Sequence, residues 1–168
     1  MQLINQSNHP TTFYSLTIAY MCERFGYFTL RSLLVLYMVK SLLVSTADAY
    51  STFAAFSTLL YLSPLLGGKL IDHSFNRNYA TLVGGALLSI GLFCIAIFNQ
   101  QYLNIALSIL ICGKGLYGPG IIILLGEIYT TDDTRRERGF LTLYSAINMS
   151  AILASLSGPI LILYLGWG

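Results

Sequence analysis

Residues 13–39 read FYSLTIAYMCERFGYFTLRSLLVLYMV, an apolar run with Glu23-Arg24 in its middle, Arg31 seven residues further on and no turn signal between them. A helix of about 20 apolar residues crosses the hydrocarbon core, so this run is long enough to span a bilayer. A charged residue at mid-membrane depth costs roughly 2.5–3.5 kcal/mol on insertion scales, and three facing lipid would cost on the order of 8–10 kcal/mol. Glu23, Arg24 and Arg31 must therefore face protein or water. Charges kept out of lipid in a spanning helix most often line the path of an ion or solute, and that is the first expectation for this chain.

The whole composition agrees. Of 168 residues, 55% are hydrophobic and 10% charged, with a mean hydropathy of +0.69, whereas about a quarter of the residues of a soluble domain are charged. The chain reads as an all-α integral membrane protein. A net charge of +2, with Lys and Arg scattered, excludes nucleic-acid binding, which needs a clustered basic face. Cys22, Cys94 and Cys112 lie inside apolar runs without metal-ligand spacing and read as small core residues. The leader Met1–Pro10 is polar and lacks the basic start of a signal peptide, so the first span is expected to be retained.

Apolar segments cover about residues 13–39, 50–70, 79–98, 102–129 and 139–165, which makes five expected spans in one bundle over residues 1–168. The connections, Lys40–Ala49, Ile71–Asn78, the uncharged Asn99-Gln100-Gln101 and Thr130–Arg138, are short, so successive helices should pack as antiparallel neighbours. Lys69 and Arg77 mark the second connection and Arg135, Arg136 and Arg138 the fourth, which places both, and the amino terminus, on the cytoplasmic side. Trp167, between Gly166 and Gly168, would then sit at the opposite interface. Many small residues, among them Gly67-Gly68, Gly84-Gly85, Gly113, Gly115, Gly118 and Gly120, suit close helix packing more than ligand contact. Pro64, Pro119 and Pro159 are candidates for kinks.

At about 100° per residue, Tyr20, Glu23, Arg24, Tyr27 and Arg31 fall within an arc of about 100° and form one narrow polar face. Arg24 and Arg31 could hold a carboxylate through paired donors, and Glu23 could carry a proton. A Glu-Arg pair that only neutralises itself is the alternative, and it leaves Arg31 unexplained. In the fourth span Lys114 shares a face with Tyr117 and Gly118. Lys114 is a buried or cavity-lining cation, because it lies about twelve residues from either end of its run, roughly 18 Å along the axis and too far to snorkel. In the fifth span Phe140, Tyr144, Asn148, Ala151 and Ser155 form another stripe, and Asn148 fits either ligand contact or helix-to-helix hydrogen bonding. Asp72 and Arg77 flank the second connection as a candidate conformational latch. The charges Glu127, Asp132, Asp133 and Arg135–Arg138 read as a solvated run. There is no phosphate loop, His pair with metal spacing or Ser-His-Asp set, so neither an ATP-driven pump nor a hydrolase is supported and no enzyme is expected.

Cys22-Glu23-Arg24-Phe25-Gly26-Tyr27-Phe28 with Arg31 resembles the E-x-x-E-R-F-x-Y-Y signature of the proton-dependent oligopeptide transporters of the major facilitator superfamily. Three further segments agree in order. Tyr61-Leu62-Ser63-Pro64-Leu65-Leu66-Gly67-Gly68 through Asp72 resembles that family's second helix and first cytoplasmic loop. Gly113-Lys114-Gly115-Leu116-Tyr117-Gly118-Pro119 resembles its fourth-helix G-x-G-L-F-K-P. Gly139-Phe140 through Tyr144, Ile147, Asn148 and Ala151 resembles its fifth-helix F-x-x-F-Y-x-x-I-N-x-G-A.

The resemblance implies proton-driven uptake of di- and tripeptides by alternating access, with no cofactor beyond the proton gradient, in the plasma (inner) membrane. Glu23 and Arg24 would be the proton-linked pair, and Arg31, Tyr27, Tyr61, Tyr144 and Asn148 would fall at peptide-cavity positions; Tyr20, Lys114 and Tyr117, on the polar faces of the first and fourth spans, are further candidates for substrate contact. Tyr20 stands where the signature has its first glutamate, and Gly118 where the fourth helix has its lysine. Lys114, one turn earlier on the same face, is the candidate substitute. Five spans supply most of one six-helix amino-terminal half, so the chain is expected to be the amino-terminal part of a transporter, paired with a carboxy-terminal half, or a truncated member. The alternatives are a facilitator for another small anion such as nitrate or an organic acid, and a truncated membrane interaction subunit that does not transport.

Overall fold

The computed structural model describes residues 9–73, 76–97, 102–130 and 133–165. The expectation for Trp167 and the turn at residues 99–101 lie outside them. The described residues form five helices: α1 (Thr11–Lys40), α2 (Thr46–His73), α3 (Arg77–Ile97), α4 (Leu103–Glu127) and α5 (Arg135–Leu165). Helices α2 to α5 are each long and apolar enough to cross a membrane. Helix α1 has 30 residues, about 45 Å of helix against a hydrocarbon core of about 30 Å, and its ionic stripe is what separates it from the other four.

Four helices begin earlier than their apolar runs do, α1 by two residues at Thr11, and the other three early starts each have a capping side chain. Ser45 Oγ donates to Asp48 Oδ2 at 2.6 Å and accepts from the Asp48 backbone N–H at 3.2 Å, an N-cap that opens α2 at Thr46 ahead of Tyr50. Asn76 Oδ1 accepts from the Asn78 N–H at 3.1 Å and Asp133 Oδ1 from the Arg135 N–H at 2.8 Å, which opens α3 and α5 within polar sequence. Pro64, Pro119 and Pro159 lie inside helices that continue through them.

The chain divides into two compact units, one of residues Leu34–Leu124 and the other of the chain up to Leu33 with the chain from Leu125 onward. In the Leu34–Leu124 unit the helices meet backbone to backbone. A Cβ on Gly67 would fall on the Gly115 carbonyl, and one on Gly115 would lie 2.8 Å from the Ser63 carbonyl oxygen. On the other side of α4, a Cβ on Gly113 would lie 2.8 Å from the Leu88 nitrogen, and one on Gly84 2.6 Å from the Tyr117 nitrogen. Small residues remove the side-chain layer that otherwise holds helices apart, which lets α4 seat against both α2 and α3. Rising numbers pair with rising numbers between α2 and α4, and with falling numbers between α3 and α4, as alternating up-and-down topology requires. The last turn of α1 joins this unit through Leu34 and Met38, both buried, and through the Tyr37 hydroxyl, which donates to the Ile95 carbonyl at 3.3 Å.

The other unit pairs α1 with α5. Tyr129, just after α4, holds the two helix starts together: its hydroxyl lies 2.6 Å from His9 Nδ1, and its ring would be 3.0 Å from a Cβ on Gly139. Farther along, a Cβ on Gly158 would sit 3.3 Å from Leu33 Cδ1. Helices α1 and α5 therefore run in the same direction.

Candidate functional site

The helical repeat aligns Tyr20, Glu23, Arg24, Tyr27 and Arg31 on α1, and their side chains engage one another. Arg24 Nε donates to Glu23 Oε2 at 2.8 Å, with only 13% and 10% of the two side chains exposed. The Arg24 guanidinium carbon lies 4.6 Å from the centre of the Tyr20 ring and 5.5 Å from that of Tyr27, both within cation–π reach. Arg31 NH1 donates to the Tyr27 hydroxyl at 3.3 Å. Tyr20 is buried, with 4% exposure, while Glu23, Arg24, Tyr27 and Arg31 are half-buried.

An arginine carries its charge at every accessible pH, whereas a glutamate can take up a proton. Glu23 beside Arg24 is thus a neutral pair when ionised and a free guanidinium beside a neutral acid when protonated. Because the bond to Glu23 uses Nε, the two terminal nitrogens of Arg24 form the edge that suits a two-oxygen anion.

On α5, Tyr144 is exposed, and Asn148 Nδ2 donates to the Tyr144 carbonyl at 3.0 Å, so the expected stripe ties its amide to its own helix. In the Leu34–Leu124 unit, Lys114 is 4% exposed between Gly113 and Gly115, the residues at which α4 meets α3 and α2. Its side chain is enclosed by that unit. Tyr117, on the same face, is a packing residue as well: its ring lies 3.4 Å from where a Cβ on Gly85 would be. Tyr61 is exposed, as are Asp72 near the end of α2 and Arg77 at the start of α3. Gly118 is buried, yet a Cβ there would meet nothing within 4 Å.

A second polar cluster escapes a reading of the sequence as a solvated charge run. His9 stacks on Phe13 with ring centres 4.3 Å apart and meets the edge of Tyr129 at 5.9 Å. Nearby, Arg135 grips Asp133 through Nε at 3.0 Å and NH2 at 2.8 Å. Hydrogen bonds from the Arg135 side chain and backbone hold the Asp133 carboxyl below the usual carboxylate range. The Asp-x-Arg spacing at a helix start was its only sequence signal. No group of His, Cys, Asp and Glu among the described residues is arranged to hold a metal ion.

Residues 16–168 match the family model described as Major Facilitator Superfamily. The dipeptide and tripeptide permease A of Pectobacterium carotovorum subsp. carotovorum (strain PC1) is 30% identical over 166 residues, covering 98% of this chain and 33% of the permease. Its counterpart in Proteus mirabilis (strain HI4320) is 31% identical, covering 98% and 34%. Among solved structures, a peptide transporter POT in complex with sulfate aligns with a TM-score of 0.89 at 32% identity, over 95% of this chain and 35% of that one. A mutant of a peptide transporter POT in complex with alafosfalin gives 0.90 at 30% identity, over 95% and 34%. The chain spans about a third of the length of the relatives it matches. With the family model matched over residues 16–168 and the backbone following these transporters over 95% of its length, the chain belongs to the Major Facilitator Superfamily.

Proposed function

We propose that this chain supplies the amino-terminal part of a proton-coupled symporter for di- and tripeptides, working by alternating access with a carboxy-terminal half that completes the crevice. The observation that carries this reading is the Glu23–Arg24 pair at 2.8 Å, largely enclosed midway along α1. A proton arriving at Glu23 cancels its hold on Arg24, whose guanidinium then turns to the carboxylate of an incoming peptide. When the peptide leaves, the pair closes again and the proton departs to the cytoplasm. Proton movement and peptide binding are linked because the Glu23 carboxylate, which the proton neutralises, and the peptide carboxylate compete for one guanidinium. Tyr27, Arg31, Tyr144 and Asn148 are the candidate substrate residues of the unit that holds the pair; Tyr61 and the buried Lys114 are those of the Leu34–Leu124 unit, with Asp72 and Arg77 at its cytoplasmic α2–α3 junction. The amino terminus lies in the cytoplasm, following the basic α2–α3 and α4–α5 connections, and the membrane is the plasma (inner) membrane, as uptake of external peptide requires. The driving force is the proton gradient, with no cofactor.

The presence of Tyr20 where a second carboxylate would stand favours one further reading, a facilitator for another small anion, since paired arginines suit any carboxylate or oxyanion. Uptake of a labelled dipeptide by cells making the complete transporter decides. Acidification of the outside should speed uptake and excess unlabelled dipeptide should abolish it. Block by nitrate or an organic acid with indifference to dipeptide would replace the peptide reading with the anion one.

A further inference from the structure

We infer that Tyr20 is a positioning residue for Arg24, the near wall of a two-ring cage that aims the guanidinium at a carboxylate, and that it does not touch the solute itself. The inference deepens the proposed transport role and rests on that reading for its consequence in uptake.

Burial comes first. Tyr20 is 4% exposed, so its ring has almost no surface to offer a molecule in a crevice. Its ring centre is 4.6 Å from the Arg24 guanidinium carbon, closer than that of Tyr27 at 5.5 Å. The two rings lie one turn before and just under one turn after Arg24 on the same helical face, so the cation is bracketed along the axis. A guanidinium is weakly hydrated and planar and gains from ring faces in a way an ammonium does not.

Glu23 fixes the third side by bonding Nε at 2.8 Å. With the stem braced by two rings and one carboxylate, the terminal nitrogens are the only part of Arg24 left to present. The brace is electrostatic without adding a titrating carboxylate, so the rings keep the guanidinium on this face when a proton on Glu23 releases it to turn to the peptide.

Tyr27 cannot test this cleanly, because its hydroxyl also accepts from Arg31 at 3.3 Å. Tyr20 can. In the purified chain in detergent, the rate at which phenylglyoxal modifies Arg24, followed by peptide mass spectrometry, reads the cage without requiring transport. Tyr20→Leu should speed modification about ten-fold, while Tyr20→Phe and Tyr20→Trp, which keep a ring, should stay within about two-fold of the parent. In the complete transporter, Tyr20→Leu should raise the KM for a free-acid dipeptide about ten-fold. Its maximal rate and the KM for the same dipeptide amidated at its carboxyl end should change much less, and Tyr20→Phe should restore the parent KM. If Tyr20→Leu fails to accumulate in membranes, Tyr20→Gln takes its place as the ring-free variant.

Equal modification rates in the ring-bearing and ring-free variants would overturn the inference, as would Tyr20→Phe failing alongside Tyr20→Leu. A parent transporter that takes up no dipeptide would sink the transport reading instead, and the modification rates would still decide the cage.

Discussion

The α2–α4 and α3–α4 crossings are held by what their residues lack, whereas the ionic stripe on α1 is held by what its residues carry. At the crossings, Gly67, Gly84, Gly113 and Gly115 bring backbone against backbone. Dispersion there depends on separations that one methyl group destroys. On the stripe, Tyr20, Glu23, Arg24, Tyr27 and Arg31 make ion-pair, cation–π and hydrogen-bond contacts within a single helix. A bilayer gives helices no hydrophobic reason to associate, so the apolar region must rely on fit, and it penalises stray charge, so the polar region must satisfy its own groups. The first region should therefore fail on addition of volume and the second on loss of a partner.

The largest effect follows from adding volume. Gly67→Ala puts a Cβ onto the Gly115 carbonyl, and because both sides are backbone, neither can swing away. We expect a loss of about 3 kcal/mol or more, seen as a collapse in the folded fraction during denaturant titration in detergent. An unchanged midpoint would mean that the α2–α4 crossing is not close-packed.

Removing a partner comes next. Arg24→Leu takes away the cation that Glu23 Oε2 bonds at 2.8 Å, leaving a carboxylate side chain that is only 10% exposed. The expected cost is about 2–3 kcal/mol, below the figure for a wholly buried pair because the site is only mostly enclosed. Adding Glu23→Gln to Arg24→Leu should recover part of that loss, since the amide carries no charge, and the non-additivity of this double-mutant cycle in the same titration measures the pair. Strict additivity would show that Arg24 and Glu23 are neighbours without coupling.

The two regions were unequally legible in the sequence. Hydropathy located every helix, because about twenty apolar residues in succession have few alternatives. It set four helix starts too late, at Thr11, Thr46, Arg77 and Arg135, the last three in polar sequence on the caps of Ser45, Asn76 and Asp133. The stripe on α1 was legible because the helical repeat alone puts those five residues on one face. That Tyr20 is buried under Arg24 was not, since spacing places a ring on a face without saying whether it turns to the helix or to the crevice. The His9–Tyr129 contact joins residues 120 apart in sequence and leaves no local pattern. Depth made Lys114 readable as a buried cation, but the packing of Tyr117 on Gly85 depends on how α3 and α4 are seated, which no single-helix pattern encodes.

A smaller effect tests whether caps, which belong to neither region, set where α2 begins. Ser45→Ala removes the oxygen that accepts from the Asp48 N–H at 3.2 Å and should cost about 1 kcal/mol. The loss should appear as faster amide exchange at residues 46–49 with the helix centre unaffected. Exchange spread evenly along α2 would instead make the cap part of the whole helix's cooperative unit.

The smallest effect sharpens the comparison most, because its sign is reversed. Gly118 lies in the same helix as Gly113 and Gly115 and is buried like them, yet a Cβ there meets nothing within 4 Å. If glycines in α4 are present for close approach, Gly118 has no such reason, and Gly118→Ala should stabilise the helix by about 0.5–1 kcal/mol through reduced freedom of the unfolded chain. The same substitution at Gly115 would drive a Cβ to 2.8 Å from the Ser63 carbonyl oxygen and should destabilise. Opposite signs one helical turn apart in α4 would separate glycine as a packing device from glycine as an opening in the wall. If both alanines destabilise, the space beside Gly118 is filled in the folded protein, and the contrast between a packed face and an open one within α4 fails.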